Sequence, residues 1–170
     1  GNAQQMTYGQ RVQLEELEVT DLGNVALAPK TTIKGANFPF AGRVFGSSRP
    51  QFAYYSFVAG DWTASSIALE IYWTTPAADV GGTVGWIAAA AKLNTSVTTP
   101  VNTKEFAADN GTFSTNVLGS WRFHKTVYLL NNDSYAAGSL FVVRLSRDVT
   151  DVSTAGDAYV LGTSIIYTGV

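Results

Sequence analysis

From Ser66 to Thr75 the chain reads Ser-Ile-Ala-Leu-Glu-Ile-Tyr-Trp-Thr-Thr, with Ile67, Leu69, Ile71 and Trp73 alternating with Ala68, Glu70 and Tyr72. Successive side chains of a β-strand point to opposite faces, so this period of two specifies a strand with one buried face. By parity, Trp73 belongs to a core and Glu70 faces solvent. Similar runs recur. Residues 52–58 are aromatic and β-prone, and 123–130, 140–145 and 159–167 supply three more strands. Residues 83–93 contain Ala88-Ala89-Ala90-Ala91, which by propensity alone favours helix. The flanking Thr83, Val84, Trp86 and Ile87 argue for a strand instead, whose small side chains would let another surface approach closely.

Turn signals separate these runs: Asn131-Asn132-Asp133-Ser134, Ala137-Gly138 and the stretch 153–156. Gly81-Gly82 reads as a hairpin turn between 66–75 and 83–93. Gly and Pro punctuate 22–50 so often that it reads mainly as turns, with short strands near 25–27 and 31–34. Residues 94–117, rich in Thr, Asn, Ser and Ala, form the longest irregular section. About eight strands with long connections predict an all-β, antiparallel β-sandwich of jelly-roll type. The Cys-Trp-Cys pattern of immunoglobulin domains is absent. Residues 25–170 are expected to form one domain. Residues 1–24 stand apart as an N-terminal arm or short helix: in 10–19, Val12, Leu14 and Leu17 fit weak helical spacing or a strand equally well.

Composition narrows the function. The chain has 170 residues and no cysteine, which removes disulfides, thiolate metal sites and a cysteine nucleophile. A net charge of -2 without any Lys/Arg run argues against phosphate-driven nucleic-acid binding. No stretch approaches the ~18 apolar residues of a membrane-spanning helix, and no secretory leader is visible. Charged residues make up 14% of the chain, against roughly 25% in ordinary globular domains. Such a surface resists association poorly, which points to subunit contacts, the alternative being an extracellular monomer with a neutral polar coat.

Catalytic patterns are missing. His124 is the single histidine, so any Ser-His-Asp triad must use it, and no G-x-S-x-G elbow accompanies it. It reads as a surface or strand-edge residue. A glycosidase needs two carboxylates across a cleft; Asp61, Glu70, Asp79, Glu105 and Asp109 are the possible partners, and spacing alone does not show any two of them converging. Asp148, Asp151 and Asp157 are weak candidates for an ion site, because their spacing departs from the EF-hand and suits turn-holding aspartates better. The Gly81–Gly85 stretch lacks the Lys-Ser/Thr of a phosphate-binding loop. No catalytic residue and no cofactor is therefore expected. Exposed aromatic rings stack on sugars and anchor interfaces. Trp62 and Trp121, beside turn residues, and Tyr135 are the candidate ligand-binding residues.

Asp61-Trp62-Thr63, the 66–75 run, Val84-Gly85-Trp86, the stretch from Val142 to Asp148, Asp157-Ala158-Tyr159-Val160-Leu161 and Ile166-Tyr167 together resemble a domain that recurs in bacteriophage virion proteins. Its members include capsid-decoration, head-fibre and tail-fibre components. The resemblance implies a structural, non-enzymatic virion protein. It would assemble with itself, as a trimer by expectation, and with capsid or tail proteins. The alternative is a carbohydrate-binding or receptor-binding module with a glycan as partner. The first 50 residues lie outside the resemblance.

Overall fold

The computed structural model describes residues 9–19, 26–58, 64–95 and 99–169. The alternating run of 67–73 lies within an eleven-residue strand, Ala64–Thr74. In chain order the strands are β1 (Gly9–Gln13), β2 (Glu15–Glu16), β3 (Lys30–Lys34), β4 (Pro39–Phe45), β5 (Phe52–Val58), β6 (Ala64–Thr74), β7 (Thr83–Leu93), β8 (Phe113–Asn116), β9 (His124–Leu129), β10 (Leu140–Arg147) and β11 (Ala158–Gly169). They form two sheets. One runs β3-β4-β11-β6-β9, with β1 also paired to β11, and the other runs β2-β5-β10-β7-β8.

The pairing is that of a long ribbon folded back on itself. Antiparallel partners are β4 with β11, β5 with β10, β6 with β9 and β7 with β8. Wrapping this ribbon brings β11 against β6 and β10 against β7, which joins the pairs into two facing sheets. That order defines a jelly roll, so the fold read from the strand pattern holds. From β4 onward consecutive strands alternate between the sheets, except that β7 and β8 pair within the second sheet. The expectation of a hairpin at Gly81-Gly82 is thereby corrected: β6 and β7 lie in different sheets, and 75–82 is a crossing in which Gly81 takes φ 99°.

Between the sheets, Trp73 and Trp86 meet with ring centroids 6.2 Å apart, and Phe45 stands edge-on to Trp86 at 5.2 Å. Trp73 donates its indole N–H to Thr126 Oγ1 at 2.9 Å, so a polar group deep in the core is satisfied. Leu69, Ile71, Phe141, Leu145 and Ile165 complete the dry centre.

One open local reading is settled and two others change. The alternation in 9–16 resolves as strand, and not as helix. β1 adds to the first sheet beside β11, Leu14 is buried, and β2 adds to the second sheet beside β5. Within 22–50, read mainly as turns, β4 is a full strand. Pro39 is its first residue, where a missing N–H costs no ladder bond. The irregular section contains β8, short and at a sheet edge.

Candidate functional site

The first sheet turns Tyr72 and Thr74 of β6, Phe40 and Val44 of β4, and Tyr159 of β11 to its outer face, since their neighbours in sequence carry the core parity. The connection before β9 folds back over this face. Trp121 donates its backbone N–H to Thr75 O at 2.7 Å, Ser120 Oγ donates to Pro76 O at 2.7 Å, and Thr74 Oγ1 donates to Arg122 O at 2.7 Å. Trp121 is held at φ 58°, a conformation that costs a non-glycine residue roughly 1–3 kcal/mol and survives where surroundings impose it. Its ring lies 5.6 Å from Tyr159 and 5.8 Å from Phe40, yet the residue stays 45% exposed. On the same face Phe123 stacks on Tyr72 at 5.8 Å with planes only 6° apart, and is 61% exposed.

Beyond Tyr72 on this face lies a charged knot. Glu70 has the outward parity read from the sequence, but the expectation that it meets solvent is corrected, for it is 1% exposed. Arg11 of β1 covers it with Nε at 2.5 Å and Nη2 at 3.1 Å. Lys125 of β9 approaches at 3.1 Å and Ser164 donates at 2.9 Å. The Arg11 hydrogen bonds hold the Glu70 carboxyl down at about 2, with Ser164 and Lys125 adding to the effect against the cost of burial. Arg11 and Lys125 keep further N–H donors for a molecule lying on the aromatic strip.

Of the residues picked from the sequence, Trp121 sits at the centre of this face. Trp62 lies outside the described residues. Tyr135 is not on the surface: it is 8% exposed, stacked on Phe57 at 5.7 Å and edge-on to Phe141 at 5.1 Å, so the expectation that it is exposed is corrected. The turn Asn131–Ser134, with positive φ at Asp133 and Ser134, bends the chain so that the ring enters the core. Phe40, Phe123 and Tyr159 were not singled out. Only parity could have placed them beside Tyr72, and the loop that carries Trp121 across the face has no periodic signal.

Asp148, Asp151 and Asp157 do not converge. Asp148 accepts from Thr150 N, Thr150 Oγ1 and Thr112 Oγ1, and Asp151 accepts from Ser153 and Thr83. These bonds hold turns. Among the described residues no group of three His, Asp or Glu side chains is placed to hold a metal ion. Arg147 is buried beside them and donates to the carbonyls of Phe45, Thr154 and Gly156. His124 starts β9, as a strand-edge residue should, but is buried and stacked on Trp73 at 4.1 Å, so its placement at the surface is corrected. Its Nε2 accepts the Leu118 N–H at 2.9 Å, and burial lowers its pKa, against the pull of the Trp73 and Arg122 carbonyls.

No family model matches the chain, and no curated protein matches it. Among solved structures it is similar to the CBM35 from Cellvibrio japonicus Abf62, at 12% identity over 93% of this chain and 92% of that one, with a TM-score of 0.43. It is also similar to a Xyl-CBM35 solved in complex with a glucuronic acid-containing disaccharide, at 14% identity over 91% of each chain and a TM-score of 0.44. A CBM4 structure follows at 11% identity, 88% and 97% coverage and a TM-score of 0.26. The strand order and the aromatic face define the molecule as a jelly-roll β-sandwich with a preorganised aromatic surface.

Proposed function

We propose that this domain is a non-catalytic carbohydrate-binding module whose glycan lies across the outer face of the first sheet, stacked on Trp121. The observation that carries the reading is that Trp121 is both exposed and fixed, by its φ of 58° and its bond to Thr75 O. A pyranose ring offers one face of C–H groups to the negative face of an indole, and a ring that is already immobile loses little entropy on binding. Phe123 over Tyr72 supplies a second stacking position, and the donors of Lys125 and Arg11 supply polar contacts at its side.

The test is retention on a panel of immobilised glycans, comparing the parent chain with Trp121→Ala. Trp121→Ala should weaken binding at least about tenfold, the equivalent of ~1.4 kcal/mol, with an unchanged unfolding midpoint. Equal retention by both chains, or none of the panel retained by the parent, would remove the reading.

A virion component could carry the same face at a fibre tip. Its support is the sequence resemblance and the charge-poor surface. Light scattering tests its assembly: a stable trimer favours it, and a monomer at all concentrations opposes self-assembly.

A further inference from the structure

The second sheet carries a different feature on its own outer face. Arg144 of β10 stands opposite Tyr54 of β5 and Ala89 of β7. Its guanidinium carbon lies 4.7 Å from the ring centroid of Phe106 and 5.3 Å from that of Phe52, and Phe106 in turn lies 6.2 Å from Tyr54. Two aromatic rings thus pack on a half-buried cation, and a third, Tyr54, stands beside it across the strand pair. Other arginines in the sheets direct their N–H groups at protein acceptors: Arg11 at Glu70, Arg43 at Glu16 and Ala28 O, Arg147 at three carbonyls. Arg144 does not. Among the described residues no side chain or carbonyl accepts a hydrogen bond from it and no carboxylate pairs with it; Phe52 and Phe106 pack on it and the Tyr54 phenol lies near it.

A guanidinium loses hydration when rings pack on it, and the rings replace that loss only in part. The N–H donors of a guanidinium form a planar fork, held here between two rings, and such a fork takes a carboxylate in two parallel hydrogen bonds. We infer that Arg144, with Phe52, Tyr54 and Phe106, is a binding site for the carboxylate of an acidic ligand. The rings flank the anion with apolar surface, so the ligand carries its carboxylate on a compact body that can lie against them, as a uronic acid ring does. The site is on the opposite face from Trp121 and stands independently of the glycan reading.

The experiment is an NMR titration of the full chain at neutral pH with sodium galacturonate, with galactose as the neutral counterpart and sodium sulfate as the non-planar anion. Saturable shifts at the amides of Phe52, Tyr54 and Phe106 are expected with galacturonate. Galactose should leave them unmoved, and sulfate should bind at least about tenfold more weakly. Arg144→Lys keeps the charge but not the fork and should weaken galacturonate about tenfold or more. Trp121→Ala should leave the galacturonate shifts at Phe52, Tyr54 and Phe106 as in the parent, which separates failure here from failure of the aromatic platform. Equal response of these amides to galactose, equal or tighter binding of sulfate, shifts confined to the Trp121 face, or an Arg144→Lys titration that overlays the parent would each overturn the assignment. Because the mapping is read in the parent chain, it decides the matter even where a variant folds poorly.

Discussion

Glu70 shows how one residue can ionise although it is cut off from water. An isolated buried carboxylate would take up a proton, but two cations and a hydroxyl reach this one, so its folded pKa falls from 4.5 to about 2. The sign follows directly. A depressed carboxylate adds stability that is complete above about 4.5, where the unfolded chain is ionised too, and that declines as pH falls toward 2. Glu70→Gln keeps the shape and removes the charge, leaving Arg11 and Lys125 without their counterion. Their side chains are 53% and 44% exposed, so water compensates part of the loss. The cost at pH 7 is expected to be about 1–2 kcal/mol. Urea unfolding at pH 7, 4 and 2.5 checks it: the gap between parent and variant should shrink below pH 4.5 and nearly close at the lowest pH. A gap of constant size at all three would show that packing, and not charge, is what Glu70 contributes. Parity alone misplaced this residue because period two reports which face a side chain leaves from. It says nothing of which long side chains fold over it from Arg11, more than fifty positions away.

At the scale of elements, β7 shows both what the sequence makes legible and where it stops. Ala88 and Ala90 face the core, so tertiary packing outweighs the helical propensity of the alanine run, and Thr83–Leu93 was readable as a strand from its flanks. The other parity, Ala89 and Ala91, is buried as well, which a two-layer reading does not require. The close approach those small side chains permit comes from the chain itself: Ala107 N–H donates to Ala90 O at 2.9 Å, and Phe106 lies against Tyr54 and Arg144 over this face. Strands β5, β6, β9, β10 and β11 were legible for the same reason, that each alternates about a core. β4 and β8 were not, because Gly42 and Pro39 in one and brevity in the other conceal the period. The aromatic face was legible only at Trp121 and Tyr72. A direct consequence is that Ala89→Leu should press Phe106 off the sheet and cost about 1–3 kcal/mol by overpacking. Ala108→Leu, on the exposed side of the same connection, should stay within about 0.5 kcal/mol. Thermal unfolding of the two variants compares them, and equal midpoints would mean that the 104–110 connection does not pack on β7 in solution.

At the scale of the whole molecule, the segment 9–16 closes the sandwich along one side. β1 lies on β11 in one sheet, and after Leu14 donates its N–H to Thr163 O the chain passes to the other sheet, where β2 lies on β5 and Leu17 N–H reaches Tyr54 O. Arg43 of β4 pairs with Glu16 across the same side, and Lys30 pairs with Glu18 at 2.5 Å. One short stretch therefore joins both layers, buries Leu14 and supplies half of the cover over Glu70. An arm reserved for an external partner would leave the sandwich intact when removed; a segment built into both sheets would not. Deleting residues 1–16 exposes the unpaired edges of β11 and β5, uncovers the space filled by Leu14 and strips Arg11 from a buried carboxylate. Leu14 alone is worth about 1.5–3 kcal/mol, and the uncovered carboxylate adds to it. The truncated chain should unfold at a clearly lower urea concentration than the parent. It should also associate on light scattering, since bare strand edges template pairing with other chains. A monomeric truncated chain with the parent's midpoint would show that 9–16 is dispensable to the fold and would return it to the role of a docking arm.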